Sequence, residues 1–177
     1  MVELMNETAT MEVPAMTARE DELSIPLDLS LWVPASQLRE WIMSDVATLN
    51  WPNEELLELL RQYPEFEPKA LLNTMTFGYA TGVFSAEEIA RHCSEDPAFR
   101  GVRPRLPPVA SELKKFRKEN RGLFKWCLAQ VITRALKTQF IEGDSIQVFP
   151  PGLRRYIVEN AIERLGLARH MDRSGEL

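Results

Sequence analysis

Basic side chains are concentrated in one stretch of this chain, and phosphate binding is the chemistry that suits them. Residues 100–137 contain eleven Lys and Arg residues and only two acids, although the whole chain of 177 residues carries a formal net charge of −5. Local fields rather than total charge decide whether a polyanion binds, so the block makes a nucleic acid a candidate partner despite the negative total. The candidate DNA-binding residues are Arg100, Arg103, Arg105, Lys114, Lys115, Arg117, Lys118 and Arg121.

Four of these cations share one face of a predicted helix that begins at Ala110. They follow the helical spacing i, i+3, i+4 and i+7, while Leu113 and Phe116 face the opposite way, into a core. Contacts from such a face to phosphates are salt-sensitive and largely independent of base sequence. A solvated helix surface has the same pattern, so it is the competing interpretation. The four residues are Lys114, Arg117, Lys118 and Arg121.

Acidic residues are concentrated at the other end of the chain. Residues 1–67 hold fourteen acids against three arginines. Residues 1–24 contain no aromatic residue and show no helical period, so we predict a disordered acidic tail. This segregation supports a second hypothesis, a protein interaction module. Its basic face would then dock an acidic partner, the chain's own acidic N-terminal region, or a second copy in a homodimer.

The sequence lacks the motifs of common catalytic and cofactor sites. It contains no GxSxG, HExxH, Walker or GxGxxG motif. Adjacent acids such as Glu87 and Glu88 lie at predicted helix starts, where they stabilise the helix dipole. Cys93 and Cys127 are 34 residues apart, with two histidines in the chain, a pattern typical of buried reduced thiols. We therefore expect no enzyme activity, no metal, no cofactor and no small-molecule substrate.

The longest uncharged stretch predicts a buried helix rather than a membrane span. Residues 70–86 form 17 uncharged positions, fewer than the roughly 20 apolar residues that cross a bilayer, and they include Asn73 and three threonines. The N-terminus has no basic region before an apolar run, so no signal peptide is predicted. We expect a cytoplasmic protein without a membrane partner.

Hydrophobic periodicity predicts an all-α fold, a compact bundle of about seven helices, with no alternation of strand and helix. The longest, from Leu123 to Gln139, is the expected central packing element. The short turn at Gly82, followed by the capping box Ser85-x-x-Glu88, indicates a helix-turn-helix-like element. We expect the last residues, Asp172 to Leu177, to fray. The predicted helices cover about 35–49, a short segment after 53, 69–81, 85–93, 110–119, 123–139 and a segment after 151.

An ordered set of short motifs between residues 68 and 135 resembles the InsH-like N-terminal domain of insertion-sequence transposases, which precedes their DDE catalytic domain. The matching pieces are Ala70-Leu71-Leu72, Phe77-Gly78-Tyr79 with Gly82-Val83, the series Ser85, Ile89, Cys93, Asp96, Ala98, Phe99 and Arg100, and the series Pro108, Ser111, Leu113, Phe116 and Arg117. The resemblance implies a DNA-binding helical domain over 25–140, with 141–177 forming a loop and a C-terminal helix that packs on it.

Two departures limit what the resemblance implies. Where the family has Asp-His after the conserved proline, this chain has Val109 and Ala110. Acids Glu87 and Glu88 open the helix that would read bases, and carboxylates repel phosphates. After Lys137 only 40 residues remain, too few for an RNase H-like catalytic domain. We therefore expect a truncated or stand-alone transposase fragment that binds phosphates without catalysis of its own.

Overall fold

The protein is an all-α bundle. A computed structural model of the chain describes residues 24–50, 54, 57, 67–140 and 151–174. This part contains six α-helices and no strand, with one isolated bridge between Asp28 and Thr81. Short 3-10 turns lie at Leu29–Leu31 and Pro97–Phe99. The helices are α1 (Ala35–Thr48), α2 (Pro68–Ala80), α3 (Ala86–Glu95), α4 (Ala110–Glu119), α5 (Arg121–Phe140) and α6 (Pro151–Ser174).

Local sequence signals fix most helix boundaries. Pro68 occupies the first turn of α2, where its missing N–H costs no hydrogen bond. The Ser85 Oγ accepts the backbone N–H of Glu88 at 3.1 Å, so the predicted cap of α3 is confirmed. The helical conformation is interrupted at Asn120, between α4 and α5, within the gap between the predicted helices 110–119 and 123–139. The predicted acidic tail up to residue 23, the short helix after residue 53 and the predicted loop that begins at residue 141 lie outside the described residues, except for the helical positions 54 and 57.

Helix α2 is the centre of the described bundle. Ten of its thirteen residues are buried, and it contacts each of the other five helices. The expectation that the longest mid-chain helix is the central element is therefore corrected, because α5 leaves more of its surface to solvent. The apolar stripe 70–80 has no charged residue, which allows α2 to be covered on all sides. No helix in the described ranges has the length and apolar character needed to cross a membrane.

A buried arginine connects α6 to α2 and to the segment that precedes α1. Arg164 is 1% exposed, and its Nη1 donates to the carbonyl oxygens of Leu27 and Tyr79, at 2.7 Å each. Its Nη2 donates to the Pro26 carbonyl at 2.6 Å, and its Nε donates to Asn160 Oδ1 at 3.0 Å. Burial lowers the pKa of Arg164 to about 10, so the guanidinium is still charged at neutral pH.

We expect Arg164→Met to lower the free energy of unfolding by about 3 kcal/mol or more, because three backbone carbonyls lose their donor. Urea unfolding followed by circular dichroism measures this difference. The matched control is Arg154→Met on the same helix, whose side chain is exposed and which should change stability by less than about 0.5 kcal/mol. Equal effects of the two substitutions would contradict a structural role for Arg164.

The predicted buried thiols are confirmed, since Cys93 and Cys127 are free and buried. Burial raises the pKa of Cys93 to about 11 and that of Cys127 to about 12. Because the thiolate is the reactive form, neither should react with a disulfide reagent such as DTNB in the native protein at neutral pH. We expect two equivalents to react once the protein is unfolded in denaturant. Rapid labelling of the native protein would contradict this geometry.

Candidate nucleic-acid interface

The predicted basic face, which the structure divides between α4 and the first residue of α5, Arg121, forms one wall of a cleft whose other wall is the C-terminal part of α6. The cleft has a volume of about 490 Å³. Six of its eight lining residues are cations, one is an acid and one is apolar. They are Lys114, Arg117, Lys118, Arg121, Leu165, Arg169, Asp172 and Arg173. The structure thus places the whole predicted helix face in a single concave site, together with two arginines from the far end of the chain.

Unlike Lys118 and Arg121, Arg117 is buried and is not free to contact a phosphate. It is 9% exposed, and its Nη2 lies 2.5 Å from Asp172 Oδ2 in a buried ion pair. Its Nη1 donates to the Tyr79 hydroxyl at 3.3 Å. Burial alone would lower the pKa of Arg117, but Tyr79 and Asp172 raise it above its usual value. Helical spacing correctly placed Arg117 on the basic face, but the end of α6 covers it there, so the geometry assigns it a structural role.

Asp172 also corrects the expectation that the chain frays from this residue onward. Helix α6 continues to Ser174, and Asp172 is 4% exposed. Its Oδ1 accepts the backbone N–H of Ala86 at 2.7 Å, at the first position of α3. One carboxylate therefore neutralises Arg117 and satisfies a free N–H at a helix start, where a negative charge is favourable. These contacts hold the final turn of α6 against α3 and α4.

The first turn of α3 is occupied by contacts within the protein. Ala86 is fully buried beneath Asp172, and the Glu87 carboxylate lies 3.0 Å from the Lys114 ammonium. The hydrogen bond from Lys114 lowers the pKa of Glu87. Gly82, with a φ of 83°, makes the turn between α2 and α3. The turn thus has the expected backbone, but its second helix presents a capped, acidic end, which gives no support to base reading by this end of α3.

Four cations of the cleft form no ion pair with any described residue. Lys118 on α4 and Arg121 at the start of α5 are exposed on one side, and Arg169 and Arg173 on α6 are exposed on the other. Lys114 differs because Glu87 neutralises it, and Arg117 differs because Asp172 does. We call these four residues the cationic rim. Their charges face solvent on both sides of one cleft, the arrangement that a polyanion requires.

The remaining predicted residues lie away from the cleft. Arg103 donates to the Cys93 carbonyl at 2.6 Å, and the backbone N–H of Arg105 donates to Glu67 Oε2 at 2.7 Å. These contacts anchor the loop before α4. Arg100 and Lys115 are exposed, but they do not line the cleft. Of the eight predicted DNA-binding residues, only the four of the predicted helix face therefore lie together at the cleft.

The sequence interpretation missed Arg169 and Arg173. A signal was present, because the two are four residues apart and must share one face of a helix. Their stretch of sequence has almost no net charge, since acids and bases alternate along it. In the folded structure this face lies opposite α4, where Asp172 pairs with Arg117. Summing the charges along the sequence does not reveal that contact.

The described residues contain no group of three His, Cys, Asp or Glu side chains that could share a metal ion. Comparison of this chain with protein-family models, curated proteins and solved structures gives no match.

A double-mutant cycle tests the structural role of the Arg117–Asp172 pair. Arg117→Met should lower the free energy of unfolding by about 3 kcal/mol or more, because it leaves a buried carboxylate without its partner. Asp172→Asn should cost a similar amount. We expect the double variant to lose clearly less than the sum of the two. The control Lys118→Met, on the exposed side of the same helix, should change stability by less than about 0.5 kcal/mol. Additive effects would mean that the pair is not coupled.

Proposed function

We propose that this chain binds double-stranded DNA through phosphate contacts of the cationic rim. The observation that carries the proposal is the convergence on one cleft of four exposed cations from α4, α5 and α6, none of which forms an ion pair with a described residue, in a chain of net charge −5. Random surface lysines and arginines would be interspersed with acids, as they are elsewhere in the chain. Here Asp172, the one acid among the described residues that line the cleft, already contacts Arg117 and the backbone N–H of Ala86.

The chemistry of the lining favours a duplex over a single strand. Proteins that bind single strands without sequence preference stack the bases on aromatic side chains. Among the described residues, none that lines this cleft is aromatic, and Leu165 is the apolar one. A cleft of about 490 Å³ is too small to enclose a duplex, so the rim would contact the backbone from outside. Contacts of this type position DNA without reading its sequence.

The resemblance of residues 68–135 to transposase N-terminal domains supports DNA as the polyanion. In this proposal the described part of the chain has the DNA-binding role of such a domain, and no catalytic step is assigned to it. The acidic, capped start of α3 agrees with phosphate binding that is stronger than base recognition. Specificity for a particular sequence would need further contacts outside the cleft.

Affinity for a short labelled duplex, measured by fluorescence anisotropy at several salt concentrations, tests the proposal. If all four rim cations contact phosphates, the slope of log K against log salt should be about −3.6. Arg173→Gln or Lys118→Gln should each reduce the slope by about 0.9 and weaken binding about eightfold at 0.1 M salt, equally for unrelated sequences.

The matched control is Arg154→Gln, which removes the same charge from an exposed position near the other end of α6. It should leave both the affinity and the slope nearly unchanged. If Arg154→Gln weakens binding as much as Arg173→Gln, the protein responds to total charge and the cleft is not the site. If the unmodified chain does not bind the duplex at low salt, the proposed function is wrong.

A further inference from the structure

The interior of the cleft is a space that a duplex lying on the cationic rim does not fill. Its volume of about 490 Å³ falls within the range of roughly 300–1,000 Å³ that is typical of small-molecule sites. A duplex is too wide to enter, so the interior stays open even when DNA contacts the rim. An occupant of the interior must therefore be smaller than a nucleic acid and must match the charge of the walls.

The described walls favour an anion with more than one charged group. Six cations line the cleft against one acid, Asp172, which already contacts Arg117 and the backbone N–H of Ala86. Three of the four rim cations are arginines, whose planar guanidinium groups bind a phosphate through two parallel hydrogen bonds. Because the cations come from both walls, linked phosphates engage more of them at once than a single phosphate does.

Lys114 distinguishes the interior of the cleft from its rim. Its side chain lines the cleft but is only 25% exposed, whereas the four rim cations are exposed. The Lys114 ammonium lies 3.0 Å from the half-exposed carboxylate of Glu87. A partly exposed ion pair of this kind contributes little to stability, and a lysine side chain is flexible. The ammonium can therefore turn toward an anion that enters the cleft.

The lining gives no support to recognition of a base or an acyl chain. Proteins commonly hold unpaired bases by stacking them on aromatic side chains, and none of the described lining residues is aromatic. Leu165 is the one apolar residue among them. The phosphate groups of a ligand are thus the part that these walls can recognise.

We propose that the interior of the cleft binds one compact polyphosphate, an anion with two or three linked phosphate groups, and that this anion competes with DNA for the cationic rim. The competition rests on the proposed function, whereas the binding of polyphosphate does not. The same phosphate chain occurs as a free inorganic ion and as the tail of a nucleoside triphosphate. In both sources the phosphate chain is the recognised group, and its concentration controls the access of DNA to the rim.

Calorimetric titration with tripolyphosphate, adenosine triphosphate and orthophosphate at low salt tests the site without DNA. We expect one tripolyphosphate per chain, bound at least about tenfold more tightly than orthophosphate, because linked groups bind together. Adenosine triphosphate should bind within about threefold of tripolyphosphate, since no described lining residue stacks a base. Orthophosphate that binds as tightly as tripolyphosphate would overturn the proposal. Adenosine triphosphate that binds about tenfold more tightly than tripolyphosphate would show base recognition and overturn it as well.

Two neighbouring lysines on α4 separate the interior from a general effect of charge. Lys114→Gln should weaken tripolyphosphate binding about fivefold. The matched control Lys115→Gln removes the same charge from an exposed position outside the cleft and should change it less than about twofold. Neither variant should change duplex affinity by more than about twofold, because neither residue belongs to the rim. Equal losses of tripolyphosphate affinity in the two variants would reject the interior as the site.

Circular dichroism melting curves check that both variants fold. Arg169→Gln, which changes an exposed rim residue, is a second test that does not depend on the folding of the Lys114 variant. It should weaken the binding of tripolyphosphate and of duplex DNA alike. Loss of duplex affinity alone would mean that the small anion does not use the rim, and the competition would be wrong.

A competition titration distinguishes failure of this inference from failure of the proposed function. Tripolyphosphate should displace labelled duplex more effectively than sodium sulfate at the same ionic strength, because screening alone is then equal. Equal displacement by the two salts would reject the competition. If tripolyphosphate binds and the duplex does not bind at low salt, the proposed function is wrong and the polyphosphate site stands. If Arg173→Gln weakens duplex binding and no tripolyphosphate binds, the proposed function stands and the polyphosphate site is rejected.

Discussion

Two buried guanidinium groups meet at Tyr79, and the placement of α6 depends on them. Arg164 donates to the Tyr79 carbonyl, and Arg117 donates to the Tyr79 hydroxyl while it pairs with Asp172. A buried cation is tolerated only when its donors are satisfied, so each arginine restricts its neighbours to one geometry. Tyr79 lies at the end of the central helix α2. The C-terminal helix, α4 and the segment before α1 are thus positioned from one point.

The cleft is a consequence of this arrangement. The ion pair between Arg117 and Asp172 removes one cation from the basic face of α4, but it brings Arg169 and Arg173 to the opposite wall. The local charge therefore rises although one predicted contact is lost. An acid at the base of a cationic cleft supports the site in this case, because it is fully engaged by Arg117 and by the start of α3. The rim above it is exposed, and its four cations form no ion pair within the part of the chain that the structure describes.

The same contacts explain why the first turn of α3 is poorly suited to recognising bases. A recognition helix needs a free first turn to enter a groove. Here Asp172 caps that turn from one side, and Lys114 pairs with Glu87 on the other. The acids that open α3 thus stabilise the interface between α3 and α4. These acids therefore have a structural role at this interface. That role agrees with the proposal that the protein binds phosphates without reading bases.

Local sequence signals determined the helices, because caps, prolines and apolar periods act over a few residues. Ser85, Pro68 and the stripe 70–80 each predicted their elements, and the face of α4 was placed correctly as a face. Tertiary contacts determine which cations of that face remain exposed to solvent. Arg117 is buried and Arg173 joins the rim because Asp172, far away in sequence, pairs across the bundle. Long-range ion pairs between buried groups leave no periodic trace in a sequence, so only the folded structure reveals them.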